Sequence, residues 1–404
     1  MVQASKQAMN RHGIGERLHE RRIVAMRGRA DRASRSSPPA GADRSGLSHP
    51  SEHSIRQTFR RHHSQCHPMR MPAPASIAAY DTPSAADTAV VLVNLGTPDA
   101  PDTASVRRYL AEFLHDRRVV DMSRWLWCPL LHFAILPLRS GKVAHKYASV
   151  WLPEGSPLAV HTRRLAEAVQ RELPQVRVLH AMRYGKPSWK QLLLDLERQG
   201  VRRVLALPLY PQYSTSTTAS VGDVLDAVPG LSSRMVREYH LDPDWVAAVA
   251  DSVRRHRAIH GMGEHLLMSF HGLPQRFAAA GDPYPRHCEA SAQAIAQALG
   301  LPDDAWTLSY QSRFGRERWL EPSTTDTLTA LAERGLRRVD VIAPGFAVDC
   351  LETLEEVAIM LAEEFAARGG ELRYIPCLND SPAHAAALAG VIERELDEWA
   401  EVAA

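Results

Sequence analysis

The stretch LLMSFHGLP, residues 266–274, predicts a buried strand that ends at a histidine and a glycine. An unbroken apolar run of this length is typical of a strand in a parallel sheet that is covered on both faces. Eight such runs occur along the chain, this one included, with helix-like segments between them. The runs are AVVLVNLG (89–96), VRVLHAM (176–182), RVLALPLY (203–210), RMVREYH (234–240), HLLMSFHG (265–272), WTLSYQS (306–312), RVDVIAPGF (338–346) and ELRYIPCL (371–378).

Strands that alternate with helices predict crossover connections and parallel sheets of the α/β class. Four runs fall in each half of the chain, which favours two similar Rossmann-like domains, each with a four-stranded parallel sheet. The boundary is expected near residues 241–245, giving domains over 86–243 and 244–404. A length of 404 residues is ample for two such domains.

Residues 1–85 have a different composition, rich in Arg, Ser, His and Pro, and residues 1–75 hold 14 Lys and Arg against 5 Asp and Glu. No apolar periodicity runs through this head, so we expect it to be disordered. An over-extended translation start, with Met69 or Met71 as the true start, is the interpretation we favour. A transit-like segment and a basic arm that touches nucleic acid or anionic lipid stay open as alternatives. No aromatic residues alternate with the arginines, so nucleic acid is not an expected partner.

The five cysteines are odd in number and far apart, and none forms a C-x-x-C pair. This pattern predicts a reducing compartment, hence the cytoplasm, and argues against a disulfide framework. It also gives no reason to expect an iron–sulfur cluster. The cysteines are Cys66, Cys128, Cys288, Cys350 and Cys377.

Several enzyme classes lack support in the sequence. No G-x-x-x-x-G-K-S/T loop occurs, and no G-x-G-x-x-G follows the first predicted strand, which argues against nucleotide binding. No G-x-S-x-G elbow surrounds Ser269, which argues against an α/β-hydrolase.

Ligands of open parallel sheets bind in a crevice outside the carboxyl ends of the strands. His271 lies at one predicted strand end, and the loop from Gly345 to Glu352 begins at another. The spacing allows the imidazole and the Glu352 carboxylate to face one cleft. It equally allows a hydrogen-bonded structural histidine and a first-turn glutamate favoured by the helix dipole.

The segment MSRWLWCPLLHFAILPLRSGK, residues 122–142, is unusually apolar and contains Pro129 and Pro137. It is too short and too interrupted by proline to span a bilayer. Either it is a core helix, or it is an apolar lip for a large flat ligand or a membrane surface. Arg139 and Lys142 follow it and would suit carboxylates at the edge of a ligand.

Seven motifs in series resemble those of the ferrochelatases, which insert ferrous iron into a porphyrin at the last step of haem synthesis. The resemblance runs from residue 89 to about 395 and implies a chelatase-type fold with a porphyrin cleft between its two domains. The motifs are NLGTP (94–98), MRYGKP (182–187), YPQYSTSTT (210–218), SFHGLP (269–274), GDPYP (281–285), YQSRFGRERWLEP (310–322) and PGFAVDCLETLEE (344–356).

The resemblance implies that His271 and Glu352 face each other across the cleft as the catalytic and metal-binding pair. Glu356 follows Glu352 at i+4 on the predicted helix and would extend the pair into a track for protons or metal. The family often has a third acid where this chain has Met360. Cys350 stands where some relatives have histidine, and a small buried packing residue is the alternative to a metal contact there.

Nine further positions are expected to bind the porphyrin. Arg183 and Tyr184 match residues on the iron side of the pocket, and Leu95 and Trp319 match residues that pack on the macrocycle. The other five match residues that contact or frame the propionates. These five are Arg139, Lys142, Tyr147, Ser156 and Ser312, and the run from Tyr147 to Ser156 is two residues longer than in the family.

The resemblance therefore implies a lyase-class chelatase that converts protoporphyrin IX and Fe²⁺ into protohaem, with iron as substrate and with no permanently bound cofactor. Peripheral contact with a membrane is an accompanying expectation. A coproporphyrin-using ferrochelatase and a non-catalytic tetrapyrrole or haem carrier are the alternatives. Whether His271 is a proton acceptor or a metal ligand stays open from the sequence.

Overall fold

The computed structural model describes residues 88–403, and the predicted basic head, residues 1–85, lies outside them. The strands of this part of the chain are β1 (Thr88–Thr97), β2 (Arg177–Gly185), β3 (Arg203–Pro208), β4 (Ser232–Met235), β5 (His265–His271), β6 (Trp306–Gln311), β7 (Arg338–Ile342) and β8 (Glu371–Tyr374). They form two four-stranded sheets, with strand orders β2-β1-β3-β4 and β6-β5-β7-β8. Every pairing within them is parallel, which confirms the predicted α/β class with two parallel sheets.

The two central strands end in similar sequences, LGTP (95–98) at the end of β1 and HGLP (271–274) at the end of β5. Aligned on these sequences, Val90 and Leu266 are equivalent, Val90 pairing with Val178 and Leu205, and Leu266 with Trp306 and Asp340. This alignment places Leu95 of the first sheet and His271 of the second at equivalent positions. Each of them directly precedes a glycine, Gly96 or Gly272.

These two glycines permit the close approach of neighbouring strands. Gly96 has φ +118°, and a Cβ atom there would lie 1.7 Å from the carbonyl oxygen of Tyr184. A Cβ atom on Gly272 would lie 2.4 Å from the carbonyl oxygen of Gln311. Because no side chain fits at such distances, both central strands need glycine where they end.

Helices cover both faces of each sheet. Five of them begin after a side-chain cap, as where the Asp102 carboxylate accepts the backbone N–H groups of Ala104 and Ser105. The helices are α1 (Thr103–Leu114), α2 (Arg124–Leu130), α3 (Leu136–Val150), α4 (Pro157–Glu172), α5 (Trp189–Arg198), α6 (Thr218–Asp226), α7 (Pro243–His260), α8 (Gln275–Ala279), α9 (Tyr284–Leu299), α10 (Thr324–Glu333), α11 (Ala362–Ala366) and α12 (Pro382–Ala403). A 3₁₀ turn spans Asp303–Ala305, and π-helical segments span Leu131–Ile135 and Glu352–Leu361.

The largest apolar cluster contains residues of both sheets, with Leu92 of β1 and Met268 and Phe270 of β5 all fully buried. Smaller clusters fill the opposite faces of the two sheets. Burying one large apolar side chain contributes about 1.5 to 3 kcal/mol, so the shared cluster holds the strand ends of both sheets in fixed places.

The predicted strand over 234–240 is wrong for most of its length, because β4 covers Ser232–Met235. The backbone of Val236 still donates to Ala206, but the chain then leaves the sheet edge and the N–H of Tyr239 donates to Pro211. The predicted run at 371–378 is also shortened, since β8 ends at Tyr374. Both are edge strands, where a single neighbour gives less reason to stay in register.

The apolar segment is helical from Arg124 to Val150, and its two prolines do not break it. The π-helical turn before α3 loosens the hydrogen-bond ladder, and Pro137 lies in the first turn of α3. Trp125 and Phe133 are 91% and 85% exposed, whereas Leu131 is fully buried. The segment is thus partly core and partly an exposed apolar surface. In the part of the chain that the structure describes, no helix is long and apolar enough to cross a membrane.

Candidate active site

His271 ends β5 and is half-buried, with its imidazole edge-to-face against Phe346 at 6.1 Å between ring centroids. Its Nδ1 atom is buried and has no hydrogen-bond partner among residues 88–403. Burial lowers the pKa of His271 from its ordinary value, and the negative charge of Glu352 opposes this shift. The imidazole is therefore held neutral near physiological pH and shares its surroundings with a carboxylate.

Gln311 connects the strand end to the helix that carries Glu352. Its Oε1 accepts the Ser269 hydroxyl at 2.8 Å, which leaves its amide group to donate to the backbone oxygen of Glu352 at 2.9 Å. Both bonds are buried or partly buried, so the start of the π-helical segment is fixed relative to β5 and β6. His271 and Gln311 are direct partners in the strand register.

The π-helical segment Glu352–Leu361 carries the acidic residues Glu352, Glu355 and Glu356, and the last two bind different partners. The Glu356 carboxylate accepts the backbone N–H of Ser312 at 2.7 Å and also its hydroxyl. Ser312 holds φ +67°, the left-handed region that a serine rarely adopts, and this conformation presents both of its donors to one carboxylate. Glu355 instead pairs with Lys146 at 2.7 Å.

Burial raises the pKa of Glu356 to about 6, and the charge of Glu352 acts in the same direction. The two bonds from Ser312 and the charge of Lys146 act against this shift without cancelling it. Glu356 can thus take up and release a proton near neutral pH, next to Glu352. The next turn carries Met360, which packs on an apolar cluster, so the row of acidic side chains does not continue there.

Two buried tyrosines lie within reach of the Glu352 charge. Burial is the main cause that raises the pKa of Tyr109 and of Tyr147 well above the usual value, and Glu352 adds to it in both. Tyr147 was predicted from the sequence only as a propionate contact, which stays a prediction, whereas Tyr109 was missed. The place of Tyr109 in helix α1, inside a plain amphipathic run, gave no signal that it would lie near the Glu352 carboxylate.

Arg183 and Tyr184 lie at the end of β2 in a closed polar network. Arg183 donates to Asp116 at 2.7 Å and to the Ser220 hydroxyl at 2.7 Å, and its guanidinium lies over the Tyr184 ring. The Tyr184 hydroxyl donates to Asp116 at 2.7 Å, and the side chain is fully buried. Burial opposes ionisation of Asp116, yet the donors around it lower its pKa overall. That these two residues line the iron side of a pocket stays a prediction.

The residues expected near the propionates and the macrocycle fall into two groups. Arg139 and Lys142 are exposed on α3, and the Arg139 guanidinium lies 5.5 Å from the centroid of the Phe314 ring. Ser156 is buried and its hydroxyl caps α4 by accepting the N–H of Ala159 at 3.4 Å.

Leu95 lies near the end of β1 and Trp319 lies in the loop after β6, and both are half-buried. The Trp319 indole N–H donates to the backbone oxygen of Phe314 at 2.9 Å, which fixes the ring next to Gly272. Leu95 is the residue equivalent to His271 in the first sheet.

The motifs YPQYSTSTT (210–218) and GDPYP (281–285) contact each other through hydrogen bonds. The Asp282 carboxylate accepts the backbone N–H of Thr215 at 2.8 Å and the hydroxyl of Ser214 at 3.0 Å. The hydroxyl of Tyr284, two residues on, donates to the backbone oxygen of His271 at 3.0 Å. The hydroxyls of the first motif thus bind a carboxylate of the second half, and the pair of loops supports the backbone under His271.

Cys350 is buried, and burial raises the pKa of its thiol well above the usual value. Its backbone N–H donates to the Thr353 hydroxyl at 3.0 Å, at the start of the π-helical segment. A protonated thiol in this place favours the packing role over a metal contact. Asp116 and Gln311, like Tyr109, were missed, although the position of Gln311 at a strand end could have suggested it.

The chain matches one protein-family model and is similar to curated relatives, three of which are described below. A protein-family model described as ferrochelatase matches residues 87–396. The chain is 59% identical over 314 residues to a ferrochelatase of Xylella fastidiosa strain M12, covering 77% of this chain and 98% of the relative. It is 60% identical over 309 residues to a ferrochelatase of Stenotrophomonas maltophilia, covering 76% and 97%. For a ferrochelatase of Aeromonas hydrophila the identity is 51% over 319 residues, covering 76% and 98%.

Two solved structures are similar at low sequence identity. SirB from Bacillus subtilis with Fe³⁺ has 11% identity and a TM-score of 0.46, covering 76% of this chain and 94% of its own. CbiX, described as the terminal enzyme for siroheme biosynthesis in denitrifying bacteria, has 15% identity and a TM-score of 0.44, covering 76% and 98%.

Proposed function

The chain belongs to the ferrochelatase family of lyase-class metal chelatases, and on that premise we propose that it inserts ferrous iron into protoporphyrin IX to form protohaem. The observation that carries this proposal is that Gln311, the register partner of His271, donates to the backbone oxygen of Glu352, and that the charge of Glu352 acts on the pKa of His271. The seven motifs that carry the resemblance all lie in the part of the chain that the family model matches.

The chemistry needs a proton acceptor and a cation escort close together. Free porphyrin is planar and carries two pyrrole N–H protons at its centre, so metal entry requires a bent ring and the loss of both protons. A rigid apolar slot can spend binding energy on bending the ring toward the transition state. The neutral imidazole of His271 supplies the acceptor, because its lowered pKa keeps it unprotonated at physiological pH.

Glu352 and Glu356 form the polar side of the same site. Glu352 ligates or escorts the entering Fe²⁺, and the carboxylate of Glu356 takes up protons, as a pKa of about 6 allows. An oxygen and nitrogen donor set of this kind binds Fe²⁺ loosely enough to release it to the porphyrin nitrogens. Glu355 takes no part, since Lys146 neutralises it.

The edge of the porphyrin is proposed to lie near α3, where Arg139 and Lys142 expose two cations that suit two propionates. Leu95 and Trp319 pack on the macrocycle, and Tyr147, Ser156 and Ser312 frame its pocket. The exposed apolar side chains of residues 122–138, among them Trp125 and Phe133, form the mouth. This mouth suits an apolar product and peripheral contact with a membrane surface.

We also propose a cytoplasmic location. The four cysteines that the structure describes are all free thiols, as a reducing compartment requires.

The test is anaerobic incubation of the full chain with Fe²⁺ and either protoporphyrin or coproporphyrin, with the product identified by mass spectrometry. We expect protohaem with the first porphyrin and little product with the second, which carries four carboxylates instead of two. Preferential turnover of coproporphyrin would assign the other ferrochelatase reaction. Tight porphyrin binding without metal insertion from either substrate would favour a carrier and would overturn the proposal.

A further inference from the structure

A second cluster of metal-ligating side chains lies outside the proposed cleft. Glu238 and His240 stand on the loop that follows β4, and His287 stands on α9. One ligating atom from each of the three lies within 4.8 Å of the others. The two imidazoles are stacked, with 4.1 Å between ring centroids and 13° between their planes.

The spacing within this cluster suits a metal ion better than a hydrogen bond. The Nδ1 atom of His287 lies 3.4 Å from a carboxylate oxygen of Glu238, which is long for a charge-assisted hydrogen bond. Two ligands that each lie about 2.0 to 2.1 Å from a tetrahedral ion are separated by about 3.3 Å. The competing contact of that Nδ1 atom, from the N–H of Tyr213 at 3.3 Å, is weak.

His240 supplies an independent indication. It is 5% exposed, and within the described chain its buried Nδ1 atom has no hydrogen-bond partner. A buried polar atom left in this state costs free energy, which a bound cation would recover.

A cavity of about 290 Å³ adjoins the cluster and gives an ion access to it. Glu238 and His240 line this cavity together with three further acidic residues, Asp242, Glu395 and Glu398. Arg394 pairs with Asp242, and Arg234 pairs with both Glu395 and Glu398. Glu238 is thus the acid at the cavity that points to the two histidines.

We propose that Glu238, His240 and His287 form a binding site for a divalent transition-metal ion, separate from the porphyrin cleft. Two imidazoles and one carboxylate suit Zn²⁺, Co²⁺ and Fe²⁺ and leave a position for water. To ligate one ion, the two rings turn out of their stacked arrangement so that the in-plane lone pairs of their nitrogens converge. The ion ties the loop after β4 to α9, whose first turn carries the Tyr284 hydroxyl that holds the backbone of His271.

The test is a Co²⁺ titration of the full chain without porphyrin, followed by visible absorption and by equilibrium dialysis. The double variant Glu238→Gln with His287→Gln removes two ligands that are at least partly exposed, and His240→Gln is a second, single variant. The matched control is His256→Gln with His260→Gln, which removes another histidine pair with 4.5 Å between ring centroids. A further variant, His271→Ala with Glu352→Gln, removes the cleft ligands.

We expect one Co²⁺ equivalent to bind to the wild type, to the matched control and to the cleft variant. The Glu238/His287 variant should bind this equivalent at least tenfold more weakly. His240→Gln should weaken the same equivalent, and the Glu238/His287 variant should still form haem at a rate close to the wild type. Equal Co²⁺ stoichiometry and affinity in the wild type and the Glu238/His287 variant would overturn this site. That outcome leaves the proposed iron insertion untouched, because haem formation is measured separately.

Discussion

The two sheets have the same strand order, but the chemistry at their carboxyl ends differs. Where the first sheet places Leu95, the second places His271. The first sheet ends in a polar network in which Asp116 is bound by Arg183 and Tyr184. The second ends in a half-buried imidazole whose buried Nδ1 atom has no partner in the described part of the chain. A repeated scaffold thus carries a closed charge network at the end of one sheet and an unpartnered imidazole nitrogen at the end of the other.

The carboxylates of the two halves show the same contrast. Asp116 is surrounded by donors that lower its pKa despite burial, so it stays charged and holds its neighbours in place. Glu356 has two donors from Ser312, a like charge nearby and a pKa raised to about 6. The first arrangement is typical of a structural network, and the second is typical of a group that exchanges protons.

The largest effect on stability is expected where the central strands end. Gly96→Ala should lower the free energy of unfolding by at least about 3 kcal/mol, because a Cβ atom meets a backbone oxygen at a positive φ. Gly272→Ala, without the positive φ, should cost about 2 kcal/mol. Urea denaturation measures both. Gly141→Ala is the control, because a Cβ atom there would meet only the Thr103 hydroxyl oxygen, at an ordinary contact distance of 3.9 Å, and it should be neutral or slightly stabilising. Equal stability of all three variants would contradict the packing at the strand ends.

Asp116→Asn tests the network of the first sheet. The variant should be less stable by about 3 kcal/mol at pH 7, since it leaves the Arg183 guanidinium without its charged partner. The pKa of Asp116 is lowered, so this stabilisation is present above the unfolded pKa and is lost as the pH falls through the folded one. Denaturation curves from pH 7 down to pH 2 should therefore converge. A difference that does not shrink in acid would contradict the charged role of Asp116.

Glu356→Gln tests the opposite behaviour in the second sheet. A carboxyl with a raised folded pKa stabilises the protein when protonated, and this contribution is lost as the pH rises through about 6. At pH 8 the neutral glutamine should therefore raise the free energy of unfolding by about 1 to 2 kcal/mol. The gain should vanish at pH 4, and haem formation should slow. A destabilised variant at pH 8 would show that Glu356 is a structural ion and not a proton carrier.

The smallest effect is expected on the exposed apolar surface. Phe133→Ser should change the free energy of unfolding by less than about 0.5 kcal/mol, because the side chain is 85% exposed. Leu131→Ser in the same segment is the buried comparison and should cost about 3 kcal/mol. Thermal denaturation separates the two. Similar losses would mean that this segment is core throughout, as one interpretation of its sequence held.

The sequence predicted the parallel sheets well because continuous apolar runs such as AVVLVNLG leave few alternatives for a buried strand. It predicted the edge strands poorly, since the bend after Met235 depends on backbone bonds to Ala206 and Pro211 in other elements.

For the candidate site, the position of His271 at the end of a strand could be predicted from the apolar run that precedes it. The π-helical form of Glu352–Leu361 and the bond from Gln311 to Glu352 were not, because both depend on tertiary packing. The partner of Arg183, Asp116, lies 67 residues away and had no local pattern.

The most direct test of the account is single-turnover haem formation from bound protoporphyrin and Fe²⁺ under anaerobic conditions. His271→Ala should bind the porphyrin with nearly wild-type affinity and insert iron about 10² to 10⁴ times more slowly, the usual range for removing a proton acceptor. Leu95→Ala, at the equivalent place in the first sheet, should instead weaken porphyrin binding and slow insertion less. An insertion rate of His271→Ala within a few-fold of the wild type would contradict the central role given to this strand end.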